Sequence, residues 1–234
     1  MLALKITILY RDLGICYGTV IQLIVSALEN KMHLPQSFKI KETKTQHEII
    51  KKYPLATIIT STETGVIANH IPLLLIERNN RFYLQGHAIA NNDMSNNDVL
   101  AIFQGPNAYI SPSWYPTKKE TGKEVPTWNY LAVHVRGSLQ FYSEGSWLLN
   151  HLTALSDTHE SAFENPWKLS DAPSNYIQKM LSAIVGIEIE IKSMQGKIKM
   201  SQNHPEQNRQ GVIDGLSQLG QLDVAQWVQN PLNS

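Results

Sequence analysis

Two segments concentrate side chains able to grip a ligand. Residues 106–116 read PNAYISPSWYP and residues 125–130 read VPTWNY, setting Trp114, Tyr115, Trp128 and Tyr130 beside Ser111, Thr127 and Asn129. Aromatic faces stack on a planar heterocycle, hydroxyl and amide groups bond its edge, and the prolines limit loop motion. The same aromatics equally suit packing a loop against the fold or sealing a subunit contact. The eight histidines are scattered. His151 and His159 stand eight residues apart, about two helical turns, outside the i, i+4 spacing of a helical metal grip. Ser111 and Ser113 have no recognisable His/Asp arrangement around them. The sequence contains no GxSxG, HExxH, GxxxxGK[ST] or GxGxxG, so hydrolase, zincin, P-loop and dinucleotide-fold readings lack a warrant.

Composition narrows the field further. The chain has 234 residues, with 20 Lys+Arg against 20 Asp+Glu. With no net basic charge to hold phosphate polyanions or acidic lipid, nucleic-acid binding would need a local patch or a partner. Lysines 39, 41, 44, 51 and 52 form the one basic cluster, which also reads as an exposed helix face, and no helix-turn-helix pattern is present. A single cysteine, Cys16, excludes an internal disulfide and favours a reducing, cytoplasmic setting. Residues 14–28 are apolar, but Gln22 interrupts them, they fall short of the ~20 residues of a spanning helix, and no small-residue cleavage site follows. Residues 1–31 therefore read as an N-terminal extension, residues 32–219 as the domain and residues 220–234 as a polar tail, with no membrane association.

The elements that must position these residues are mixed α and β. Residues 43–53 predict a short helix with Ile49, Ile50 and Tyr53 on one face. Residues 55–60 and 66–76 predict a hairpin about Glu63 to Gly65, and Asn79-Asn80 a second turn before a strand at 81–86. Further strands are expected at 99–104, 108–111 and 130–141, about six with short connections, which favours a small antiparallel barrel over a parallel sheet. Residues 147–159 carry Trp147, Leu148, Leu152 and Leu155 on one helical stripe, and residues 176–185 repeat that spacing. Gly186 suits a left-handed cap, residues 187–191 alternate as a strand, and residues 205–219 predict a last helix.

From Met32 to about Leu219 the chain resembles the PaiB family of FMN-binding negative transcriptional regulators. The resemblance rests on MHLPQSF at 32–38, ANHIPLLL at 68–75, QGHA at 85–88, AIFQGPNAYISPSWYP at 101–116, VPTWNYLAVH at 125–134, AIVGIEIEI at 183–191 and GKIKMSQNHPEQNRQGVIDGL at 196–216. It implies an α+β fold, an antiparallel split β-barrel like that of pyridoxamine-phosphate oxidases, with peripheral helices and FMN at the interface of a homodimer. It places the isoalloxazine near Ile71 to Leu73 and the aromatic loops, and makes His70, Ile71, Pro72, Ser111, Trp114, Tyr115, Trp128 and Asn129 cofactor-binding residues. The phosphate would approach His87 and Asn92, with Lys199 and Gln202 in the last block. Ala90 stands where the family carries a basic residue and Asp93 where it carries proline, which removes a phosphate cation and adds a negative charge. Direct DNA contact or a partner regulator is implied by the resemblance alone. Two other classes stay open. One is a flavin-dependent oxidoreductase with His70, His87 or Tyr115 as proton donor; the other is a cofactor-free or haem-binding relative with His70 and His87 as first ligands.

Overall fold

A computed structural model describes residues 32–94 and 98–231; the proposed extension, residues 1–31, and Cys16 lie outside the described residues. All elements below belong to the unit that starts at Pro35. Strand β1 (Lys39–Ile40) leads into helix α1 (Thr43–Lys52), whose Ile49 and Ile50 are buried as the sequence predicts. Hairpin β2 (Leu55–Thr62) and β3 (Gly65–Pro72) follows, then β4 (Leu74–Arg78) and β5 (Arg81–Ile89). Asn79 and Asn80 both adopt left-handed φ, 53° and 59°, the geometry of a two-residue hairpin turn that asparagine tolerates. Strand β6 (Asp98–Ile110), short helix α2 (Thr117–Thr121) and β7 (Thr127–Tyr142) precede α3 (Gly145–Glu160) and α4 (Ser174–Leu181). The chain then runs through β8 (Ile184–Lys199), α5 (Glu206–Gln218) and α6 (Leu222–Gln229).

The strands form one antiparallel sheet in the order β3-β2-β6-β7-β8-β5-β4, with β1 also on β8. This is an α+β architecture with peripheral helices, as expected, with eight strands among the described residues where the sequence suggests about seven. The predicted run 66–76 divides because Pro72 has no N–H to donate and Leu73 N–H bonds the Pro54 carbonyl at 2.9 Å. There the strand leaves β2 and takes β5 as partner: Leu55 faces Pro72, whereas Leu74 faces Gln85. Conversely, the runs 99–104 and 108–111 fuse into β6, whose register against β7 slips between Gln104 and Asn107, at Gly105-Pro106.

Gly186 caps no helix. Strand β8 already begins at Ile184, and Gly186 lies within it beneath Trp147, where a Cβ would fall 2.2 Å from that ring. The polar segment after Leu219 also folds: Gly220, at φ 71°, turns the chain into α6, which buries Val224, Ala225 and Val228. Trp227 Nε1–H donates to the Tyr53 hydroxyl at 3.0 Å.

The face of β5, β7 and β8 opposite the main core carries its own polar knot. Glu188, 3% exposed, accepts from Arg78 at 2.8 and 3.3 Å, from Gln85 Nε2 at 2.7 Å and from the Tyr142 hydroxyl at 3.4 Å. Arg78→Met would strip the cation from this buried carboxylate, and a loss of about 1–3 kcal/mol is expected in urea unfolding at neutral pH.

Candidate functional site

The partner switch at Leu73 leaves two strand edges unpaired. In the β2–β3 ladder the bond from Leu73 N–H to the Pro54 carbonyl sets the alternation. The main-chain groups of Ile71, Asn69 and Ile67 point at β2, and those of His70 and Ala68 point outward. On β5 the Ala90 N–H bonds the Ala183 carbonyl at 3.0 Å, so the groups of His87 and Ile89 turn away from β8. Strand β4 pairs with β5 only as far as Gln85, so it does not cover them. Between these edges lies an open cleft of about 660 Å³, lined by residues 67–71, 87–89, 92, 93 and 184. A volume of this size suits a small-molecule cofactor. Gly86 permits the crossing at its base, since a Cβ there would come within 2.7 Å of the Leu73 side chain and 3.1 Å of the Pro72 carbonyl.

Four of the expected site residues, His70, Ile71, His87 and Asn92, line this cleft together, and Pro72 adjoins it. Ile67, Ile71, Ala88, Ile89 and Ile184 give it apolar walls. Asn92 serves its own loop: its Nδ2 donates to the Ile89 carbonyl at 2.8 Å and its Oδ1 accepts from Met94 N–H at 2.9 Å.

The other seven expected residues do not line the cleft, and packing explains six of them. Tyr115 is 1% exposed and stacks on His204 at 4.8 Å, so neither ring face is free. Trp114 packs against α5, where a Cβ on Gly215 would sit 2.4 Å from its indole. Asn129 is buried and donates to Ser201 Oγ at 2.9 Å. Ser111 caps a 3₁₀ turn by accepting from Ser113 N–H at 3.2 Å. Gln202 donates to the Ile198 carbonyl at 2.6 Å and accepts from Met200 N–H at 2.7 Å. Lys199 bonds Thr127 Oγ1 and, at 3.0 Å, the Trp128 carbonyl, while burial and then Lys197 lower its pKa. Trp128 is 55% exposed, edge-on to Tyr109 at a centroid distance of 6.1 Å.

Sequence reasoning missed His151. It sits one turn after the buried Leu148 on the inner stripe of α3, 2% exposed, with Nε2 3.2 Å from His87 Nδ1. Trp147 stacks on it at 5.5 Å and Tyr142 on Trp147 at 4.8 Å, forming a column over Gly186. The available signal was a histidine on an otherwise apolar helical stripe. His151 Nδ1 is buried without a partner, and a bare lone pair there costs less than an unsatisfied N–H. That assigns the proton of His151 to Nε2, donated to His87 Nδ1, and leaves His87 protonated at Nε2. Burial lowers the pKa of both; His151 falls to about 4 through burial first and His87 second. The pair thus stays neutral, and the orienting contact makes His87 an N–H donor.

The family of the chain follows from comparison. Residues 32–193 match the model of the family described as "Putative FMN-binding domain". The chain is 31% identical over 190 residues to protease synthase and sporulation protein PAI 2 of Bacillus subtilis, covering 79% of this chain and 89% of that protein. It is 40% identical over 139 residues to an uncharacterized protein of Aspergillus fumigatus, spanning 53% of each. In architecture it is similar to the flavocytochrome Anf3 of Azotobacter vinelandii, with TM-score 0.50 and 11% identity over 73% of this chain and 74% of that one.

Because folded-state pKa values below 6.5 mean that the unfolded chain takes up protons first, the histidine pair contributes stability in full above pH 6.5 and loses it as pH falls toward about 4. His151→Phe, which keeps the stack without the titration, is expected to flatten the fall in urea midpoint between pH 7 and pH 4.5 relative to the parent. By family, the chain is a member of the FMN-binding domain family that includes PAI 2.

Proposed function

We propose that this protein is a flavin-binding regulator, acting as a cytoplasmic homodimer, that holds the isoalloxazine in the cleft between β3 and β5. In this reading the cleft is the split of a split barrel, and the protein serves negative control of transcription, as in PaiB-type regulators. The observation that carries it is the cleft's composition. Two unpaired strand edges and the lining residue His87, held by His151, border a space with aliphatic walls, which suits a planar ring with polar atoms on its rim. A bound flavin would supply hydride or single-electron transfer. The chain's own residues would bind the ring, orient it through His87 and exclude water with Ile67, Ile71 and Ile184.

The fit is to the ring and not to the phosphate, because among the described residues the only charged side chain lining the cleft is Asp93. The name of the Bacillus relative refers to protease synthase and sporulation, which supports a regulatory output. Equal totals of basic and acidic residues favour control through a partner protein or through the flavin over direct DNA contact. Ile89 and Val66, 72% and 71% exposed, supply apolar surface near the cleft for a second copy to cover. No helix among the described residues is long and apolar enough to cross a membrane.

Titration of the purified chain with flavin should quench flavin fluorescence to one equivalent and give bound bands near about 370 and 450 nm. A Soret band in the protein as isolated would favour the haem-binding alternative, for which His70 and His87 share the cleft. Ile89→Asp, at the exposed rim, should weaken flavin retention about tenfold at an unchanged melting temperature. Trp114→Ala should do the reverse, lowering stability and sparing affinity. Sedimentation of the same samples reports the dimer.

A further inference from the structure

Resting on the flavin reading above, we infer that the cleft selects a flavin without its phosphate, an uncharged planar ligand such as riboflavin, over FMN. Among the described residues, the walls of the cleft offer no cation to a phosphate. Neither residues 53–77, which supply β2 and β3, nor residues 82–117, which run from β5 past the end of β6 to the start of α2, contain a lysine or arginine. The two arginines bracketing the β4–β5 turn are already in ion pairs, Arg78 with Glu188 at 2.8 Å and Arg81 with Glu190 at 2.9 Å. Ile184, the β8 residue in the lining, starts a stretch that holds no cation before Lys192. Lys199 is held by Thr127 and the Trp128 carbonyl and is not part of the lining.

The second obstacle is the loop where a phosphate would have to sit. Phosphate sites in proteins converge several N–H donors or place a cation on the anion. Here three donors at the end of β5 and in the loop after it are already engaged: Asn92 Nδ2 on the Ile89 carbonyl, Met94 N–H on Asn92 Oδ1 and Ala90 N–H on the Ala183 carbonyl. Asp93 then sets a carboxylate in the lining beside them. A dianion placed there meets the like charge of Asp93. An uncharged ring meets what the cleft does offer, single main-chain edge groups from His70, Ala68 and His87 between aliphatic walls.

The test is a fluorescence titration of the full chain with riboflavin and with FMN, at low and at high NaCl, repeated on Asp93→Asn and Ala90→Arg. Riboflavin should bind about tenfold tighter than FMN at low salt, and salt should tighten FMN while leaving riboflavin unchanged, because screening relieves the repulsion. Asp93→Asn should narrow the gap, and Ala90→Arg should reverse it. FMN binding as tightly as riboflavin, or weakening with salt as a cation-held phosphate does, overturns the inference and leaves the flavin reading standing. Failure of both ligands to bind overturns the flavin reading itself and this inference with it.

Discussion

The whole arrangement depends on one main-chain constraint, the exchange of hydrogen-bonding partners at Pro72 and Leu73. A strand has two edges, and each edge demands donors and acceptors. By giving its first half to β2 and its second half to β5, the segment from Gly65 to Arg78 satisfies one edge at a time. Its other edge is left open beside β3, as is the end of β5. Open edges are a liability in a sheet unless something covers or uses them. Here they border the cleft, with aliphatic side chains from both strands and from β8 completing its walls.

The second support is the column on the opposite face of the sheet. Tyr142, Trp147 and His151 stack in sequence over Gly186, and the last of them bonds His87, which pairs with Gly186 and so presents its side chain on that same face. This couples α3 to a residue that lines the cleft without placing any part of α3 in the cleft. Gly186 is required because the indole lies where a side chain would be. Glu188, two residues along the same face, anchors β4, β5 and β7 to β8 through Arg78, Gln85 and Tyr142. Together these contacts fix the strand that presents His87 to a ligand.

The aromatic loops show how one residue type serves more than one role. Trp114, Tyr115 and Asn129 have the chemistry of a stacking site, and the sequence left open whether they bind or pack. In the fold they mortise the β6–β7 end to α5 and to the turn at Ser201. Nothing local distinguishes the two uses, because an indole packed on Gly215 and an indole exposed to a ligand have the same neighbours in sequence. His151 is the opposite case: its residue type and helical spacing pointed to no role, and the partner that gives it one lies 64 positions away.

The sequence by itself determined the local elements and the charge. Period-two runs of β-branched residues define strands, the Asn79-Asn80 turn sets a hairpin, the spacing of Ile49 and Ile50 defines α1, and the long stretches without a cation are written in the chain. These follow from near-neighbour sterics and from residue identity, which need no knowledge of the fold. The tertiary structure alone decided the partner switch, the pairing of His87 with His151, the place of Gly186 beneath Trp147 and the division of the expected site into a lined cleft and a packed aromatic seam. Each depends on which edges and faces meet across long separations. That choice is set by hydrogen-bond completion and apolar burial summed over the whole sheet.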